Sequence, residues 1–449
     1  MIIKNSEIAL PNRNELISLD IEINQGKLVY IGENLNGPDI FDATGLQIFP
    51  GAIDPHVHFD EPGFTDREDF YHGSACAASG GVTTIIDMPC TSIPPVTNLE
   101  NLKHKLDIVS KHAVVDFGFF GGVSRQVMEK DHRKNMAELA EFVMGFKTYF
   151  ISGMDSFGAL DLGQFHKVLV KAKTLNRPVL LHAEDPGIVK ELTRVEKAKG
   201  NSWANFYRSR PESAEIFAVV KAIAIARATG AQLHIVHVGT GDAALLLKNE
   251  KNVNGETAPH YLEFNYKDLD KIGGALKTVP VVKDKGNSDV LWECLTDGTL
   301  DFIASDHAPA PIEQKNTGSA WTDYSGIPGS GTIFPYLYSE GLIKRKMPLS
   351  RFLQITSENA ANQYGFWDRK GSIEVGKDAD LIFVDPKQNW KIMGEKFLSK
   401  GKTTPFENRT FSGKVIKTML RGKFIYDSET GINVDPGYGQ FIKPQKGGE

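Results

Sequence analysis

Cysteine is scarce: Cys76, Cys90 and Cys294 are the only three in 449 residues, and no two share metal-finger spacing. That pattern fits reduced thiols in a cytoplasm rather than a disulfide framework, and each reads as a small, partly buried hydrophobe. Excess positive charge is missing too, since 56 acidic residues face 51 basic ones. With no Lys/Arg block and no basic-aromatic stripe, nothing points to a nucleic-acid partner. The opening MIIKNSEIALPNRN has no charged segment followed by an apolar one, so it does not read as a secretion signal. The most apolar helical stretch, AEIFAVVKAIAIARATG, is broken by Lys221 and Arg227 and is too short to span a bilayer. No G-x-G-x-x-G follows the first strand-like run, no repeat exceeds one strand-helix unit, and no low-complexity tract occurs.

What is present, from residue 50 onward, is a series of short β-rich runs, each followed by a stretch of helical periodicity. The runs are IFPGAIDPHVH, GVTTIIDMP, VVDFGFFGG, MGFKTYF, RPVLLHAE, QLHIVHVG, VNGETAPHY and TLDFIASDHAP. Eight such runs, joined by segments such as DLGQFHKVLVKAKTLN, predict a (β/α)8 barrel of the α/β class over residues 50–365. A doubly wound open sheet is the alternative. Residues 1–49 and 366–449 show strand-like alternation, with turns at Gln-Gly and Arg-Gly and no long helix. The two ends together predict one small β-sandwich domain.

In such a barrel the carboxyl ends of the strands surround the active site. The ionisable residues at those ends are His56 and His58, Lys147, His182, His237, and Asp306 with His307 after it. Residues two apart on a strand share a face, so His56 and His58 can converge on one point. Four imidazoles and a carboxylate at strand ends suit one or two divalent ions. A single histidine there would be read as a hydrogen-bonded loop residue, but several matched groups at equivalent ends weaken that reading. Lys147, flanked by apolar residues, is costly to bury as an ammonium; by itself it is read first as half of an ion pair.

Together GAIDPHVHFDEPG, GGVTTIIDMP, GFKTYF, LLHAED, LHIVHVG, ETAPHYL, SDHAP and GSIEVGKDADLIFVD resemble the amidohydrolase superfamily, specifically the cyclic amidohydrolases that include allantoinase, dihydroorotase and hydantoinase/dihydropyrimidinase. The resemblance spans nearly the whole chain. It implies that His56 and His58 bind a more buried ion and His182 and His237 a more exposed one. It also implies an N-carboxylated Lys147 whose CO2-derived carbamate bridges both ions, with Asp306 as buried-ion ligand and proton carrier. Zinc is the first choice of metal, with manganese, cobalt or iron as alternatives. The implied reaction is hydrolysis of a cyclic amide or ureide by a metal-bridging hydroxide, in a cytoplasmic homodimer or homotetramer. A non-catalytic scaffold on the same barrel is the rival class; such proteins usually lose metal ligands, and none is missing here.

Departures from the family patterns bear on the substrate. Dihydroorotases of this pattern carry Arg two residues after the second metal histidine and Asn after the Met-Pro of strand two, where this chain has Asp60 and Cys90. An Asp60 carboxylate about 4 Å from a substrate carboxylate would cost on the order of 4 kcal/mol at an effective dielectric near 20. That expectation disfavours an anionic ring, unless Arg67, Arg208 or Arg210 folds inward; Asp60 as a capping or ion-paired loop residue is the alternative. Ser152 stands where D-hydantoinases show tyrosine, which lowers that branch. FISGMDSF, NFYRSRPESAE and SDHAPAPIEQK look most like allantoinase, although DYSGIPGSG, expected to cover the pocket, departs from it. Asp60, Cys90, His260 and His307 are the expected substrate contacts, the two histidines being equally readable as structural.

Overall fold

The computed structural model describes residues 1–445. Each of the eight apolar runs becomes a strand: Ala52–Val57, Val82–Asp87, Asp116–Phe119, Phe146–Tyr149, Val179–His182, Leu233–Ile235, Val253–Thr257 and Phe302–Ile303. Neighbours pair in parallel, as expected of strands joined by crossover helices. The third run is interrupted at Phe120 and continues as Gly121–Gly122, so pairing forms one arc of three strands and one of six. The Phe120 amide donates to the Asp87 carbonyl at 3.0 Å, while Gly121 and Gly122 pair with Phe146 and Lys147. On the opposite side a parallel bridge joins Val57 to His307, and the His58 amide donates to the His307 carbonyl at 2.7 Å. These two seams carry the sheet round into the (β/α)8 ring.

The predicted helices have identifiable stops. Leu162–Thr174 starts with a capping box in which Asp161 accepts from the Gln164 amide and Gln164 reaches back. Glu212–Thr229 ends at Gly230 with φ 66°, the left-handed cap that glycine supplies without a Cβ penalty. Inside the ring, Ile86, Phe120, Met144, Leu180, Val236 and Phe302 are fully buried in one cluster. Each such side chain contributes about 1.5–3 kcal/mol by leaving water. No helix among the described residues is long and apolar enough to cross a membrane.

Both chain ends join, as expected, and the element they build is one nine-stranded sheet. Gln47–Pro50, which leads directly into the first barrel strand, pairs antiparallel with Leu381–Lys391 and so joins the amino-terminal strands to the carboxyl-terminal ones. The two expected turns both form, with Gln25 and Gly26 at φ 48° and 77° and Arg421 and Gly422 at φ 47° and 74°. Positive φ at both central residues suits a two-residue hairpin loop. A Cβ on Gly26 would lie 2.9 Å from the Arg421 carbonyl oxygen, so the turns pack closely enough to require glycine.

Charge fastens this sheet to the barrel. Lys370 Nζ is buried, 2.5 Å from Asp380 Oδ2, 2.8 Å from Asp116 Oδ2 and 3.6 Å from Asp378 Oδ2, and Arg421 also contacts Asp116. Asp116 opens the third barrel strand, whereas Asp378 and Asp380 precede the sheet strand Leu381–Lys391. Removing one partner of a buried ion cluster leaves the others uncompensated. Replacing Lys370 with methionine is therefore expected to cost about 3–5 kcal/mol, read as a lower urea midpoint; an unchanged midpoint would show that the cluster does not hold the junction.

Candidate metal centre

Strand Ala52–Val57 and its exit place His56 and His58 with both Nε2 atoms near one carboxylate oxygen, 3.2 and 3.3 Å from Asp306 Oδ1. One ligand atom from each of these three residues falls within 4.8 Å of the others. Asp306 lies just past Phe302–Ile303 with φ 50°, a left-handed backbone that aspartate tolerates better than most residues. His182 ends its strand, and His237, φ 42°, lies just beyond Leu233–Ile235; His182 Nδ1 and His237 Nε2 are 3.1 Å apart. The His56 and His237 ring centroids are 5.4 Å apart, so the two histidine pairs form one cluster.

Lys147, on Phe146–Tyr149, points its Nζ into this cluster's neighbourhood, 5.0 Å from the Tyr149 ring centroid. The amine is fully buried and has no hydrogen-bond partner, and among the described residues no carboxylate stands within ion-pair distance of it. The ion-pair reading of Lys147 is therefore not met. Burial pushes its amine down to about 8, against the opposing pull of Cys90, Asp306 and Glu256. Burial, with cationic neighbours, also holds His56 and His237 well below the usual imidazole range, leaving them neutral as ligands must be. His56 Nε2 and His237 Nδ1 are likewise buried without hydrogen-bond partners. The neutral nitrogens of His56 and His237, a carboxylate and an orphaned amine suit divalent ions better than they suit one another, while, against burial, Cys90 and Asp306 pull the His58 imidazole up to about 10.

Carboxylates outside this cluster orient it, and sequence reading missed them. Glu256 Oε1 accepts from His56 Nδ1 at 2.5 Å, and Glu184 Oε2 lies 2.9 Å from His182 Nε2 and 2.5 Å from Arg210 Nη1. Such partners select which ring nitrogen faces an ion. Asp54 receives the Ser305 amide at 3.0 Å and its hydroxyl at 2.5 Å, fixing the backbone that delivers Asp306. The available signal was proximity to a recognised motif: Glu184 follows His182 by two residues, and Glu256 opens ETAPHY.

A cleft of about 370 Å³ opens over the centre, lined by His58, Cys90, Tyr149, Arg210, Asp306 and Tyr324 among others. Cys90 Sγ stands 3.0 Å from the Tyr149 hydroxyl and 3.7 Å from His58 Nδ1, so this expected substrate contact does reach the cleft. The loop residues Tyr324, Ser325 and Gly326 form one wall, and Lys315 Nζ pins them by donating to the Tyr324 and Gly326 carbonyls at 2.9 and 2.6 Å. Arg210 is the one Lys or Arg among the described lining residues. Arg208 instead pairs with Glu196 at 2.9 Å, and Arg67 bonds Gln314 and stacks 4.4 Å from the Tyr324 ring centroid.

Three expected contacts are not brought to the cleft wall. Asp60 is fully buried outside the cleft lining, and burial pushes its carboxyl up to about 7. Asp60 therefore stands behind the cleft wall rather than on it. His307 is committed to the scaffold: Nε2 lies 3.1 Å from Glu68 Oε2, and Nδ1 accepts from the Gly329 and Ser330 amides at 3.1 and 3.2 Å. His260 is buried against Tyr261 outside the lining, with Nε2 unpartnered.

Comparison with known proteins follows the same lines. The sequence profile described as "Amidohydrolase family" matches residues 47–425. The allantoinase of Salmonella newport (strain SL254) is 34% identical over 454 aligned positions, covering 98% of each chain. Among solved structures, the L-hydantoinase (dihydropyrimidinase) of Arthrobacter aurescens superposes with a TM-score of 0.93 at 28% identity, covering 98% of this chain and 99% of that one. The dihydropyrimidinase of Brevibacillus agri NCHU1002 gives 0.90 at 30% identity, with 99% and 98% covered. Strand order, the placement of the histidines and this full-length likeness agree, and the chain belongs to the amidohydrolase family.

Proposed function

We propose that this protein hydrolyses a carbon-nitrogen bond in a cyclic ureide, with an allantoin-like ring as the first candidate. The observation that carries the reading is the meeting of four imidazoles, Asp306 and an unpaired buried Lys147 at the floor of one small cleft. The cleft volume of about 370 Å³ falls in the range that suits a small molecule. The 34% identity to an allantoinase along 98% of the chain favours that ring over the hydantoins named for the structural neighbours.

In this reading His56 and His58 would hold one divalent ion and His182 and His237 a second, a carboxylated Lys147 would serve as a further ligand, and zinc is first among the metals. A carbamate fits because it replaces a costly buried cation with an anion that metal cations neutralise. Paired ions, when bound, supply Lewis acidity and lower the pKa of water toward about 7. The chain's own part is proton traffic and orientation. The Asp306 carboxylate, 12% exposed and next to both His56 and His58, accepts the proton of the attacking water and passes it to the departing ring nitrogen. Glu256 and Glu184 hold the His56 and His182 rings in register, and the loop Tyr324 to Gly326 limits water at the mouth.

A binding scaffold without activity would have no use for this complete donor set, and metal analysis separates the two. Replacing Asp306 with asparagine is expected to lower kcat by about 10²–10⁴-fold with an unchanged melting temperature; a variant within tenfold of the unsubstituted enzyme removes Asp306 from the proton path. A ring panel of allantoin, hydantoin, dihydrouracil and dihydroorotate should show allantoin opened fastest, and dihydroorotate alone being opened would overturn the ring assignment.

Lys147 gives a second prediction, because only a neutral amine adds CO2. With its amine near 8, metal-free protein supplied with zinc and 13CO2 held at a constant dissolved concentration should gain a carbamate NMR signal faster as pH rises from about 6 to 8, levelling off above. The signal should vanish in Lys147→Ala; a pH-independent rate, or a signal that survives the substitution, contradicts the bridge.

A further inference from the structure

Below the metal centre the barrel interior is not uniformly apolar. From His56, Glu256 continues downward: its Oε1 holds His56 Nδ1 at 2.5 Å, and its Oε2 lies 3.1 Å from His234 Nε2. The other nitrogen of His234 faces Asn254 Oδ1 at 2.8 Å and Gln363 Nε2 at 3.3 Å, and Asn254 Nδ2 donates to Gln363 Oε1 at 2.5 Å. Asn254 and Glu256 lie two apart on one strand, so they share its inward side, and His234 is register partner to Asn254 on the neighbouring strand. Gln363 comes from the helix Asn359–Gln363, which follows the barrel in sequence. Asn254 and Gln363 line a separate cavity of about 450 Å³ together with Pro178 and Gln232, which precede their strands. The chain of contacts therefore runs along the barrel interior from a metal-ligating ring to the amino-terminal end of the strands.

Such a chain is expensive to keep. Buried polar groups cost stability unless all are satisfied, and branched apolar residues fill this space in most barrels of this kind. Here His56 Nδ1, both Glu256 oxygens and both His234 nitrogens have partners, and the His234 ring is further held by stacking on Phe302, centroids 5.1 Å apart and 18° between planes. What the chain determines is the state of one ring. Glu256 accepts a hydrogen bond from His56 Nδ1, which leaves Nε2 with its lone pair toward Asp306, and His234 stands against the other oxygen of that carboxylate. His58 has no equivalent, since its Nδ1 meets only Cys90 at 3.7 Å and Thr91 at 3.4 Å.

We propose that His234, clamped by Asn254 and Gln363, is a positioning residue for the metal centre, acting through Glu256 to fix which nitrogen of His56 faces an ion. This rests on the metal centre proposed above but not on the ring it acts upon. Residues at the end of the barrel remote from the cleft thereby control ion affinity at the cleft floor.

The test is cobalt titration of the purified full-length chain, following visible absorption against a competing chelator, with no substrate present. His234→Ala is expected to weaken one of two cobalt sites by about 10–100-fold, the usual cost of losing an outer hydrogen-bond partner, and to change that site's absorption bands. The other site should keep its affinity. His234→Gln, which can still donate to Glu256, should recover most of the loss. Gln363→Leu, at the far end and only partly buried, should weaken the same site several-fold, and it decides the matter if His234→Ala does not fold. Native affinities and spectra in the folded variants, or equal weakening of both sites, overturn the proposal. Unsubstituted protein that takes up no cobalt overturns the metal centre itself and this inference with it, whereas metal uptake without ring opening overturns only the substrate reading.

Discussion

A buried amine with nothing to balance it governs this structure. Lys147 Nζ is wholly removed from water and unbonded, in a cluster where burial keeps His56 and His237 uncharged. An ammonium in such a place is costly, which favours loss of its proton or gain of an anionic substituent. The arrangement around it makes sense as a receptacle for positive ions, with Asp306 as the one carboxylate placed directly against both His56 and His58. His56 and His182 are in turn held by acids one layer further out, and those acids by His234 and Arg210 respectively.

Much of this was legible in the sequence because it follows simple periodicities. Strand-helix alternation located all eight barrel strands, and the turn pairs Gln25-Gly26 and Arg421-Gly422 marked two hairpins where positive φ was needed. His56, His58, His182, His237 and Asp306 were visible because each stands at or near the carboxyl end of a strand, where side chains of different strands meet, whereas Lys147, second in Phe146–Tyr149, stood out as a ligand only through the family resemblance. Burial hid the outer shell: a glutamate within an apolar strand, such as Glu256, has the same local pattern whether it pairs with a histidine, a lysine or a backbone amide.

Asp60 and His307 show where counting along the chain fails. Asp60 was placed at the cleft by matching the dihydroorotase pattern position by position, and His307 as the residue that follows Asp306. Asp60 and Asp306, however, have φ of 56° and 50°, and a left-handed residue breaks the two-residue alternation that such counting assumes. The chain turns at those points, Asp60 is swallowed by the loop, and His307 is directed onto Glu68 and the Gly329 and Ser330 amides. Positive φ at non-glycine residues clusters where a protein holds a strained local shape for a purpose, and here His237 and Asp306 share it at the centre of the site.

The pairing of Gln47–Pro50 with Leu381–Lys391 bears on how the molecule is made. A ribosome emits the first of these segments long before the second, and at about 5–20 residues per second the interval is on the order of tens of seconds. Throughout that time the strand leading into His56 and His58 has an open edge, and it must avoid sticking to neighbouring nascent chains. Completion of the small sheet is thus a late event of biogenesis, after the eight barrel strands have emerged.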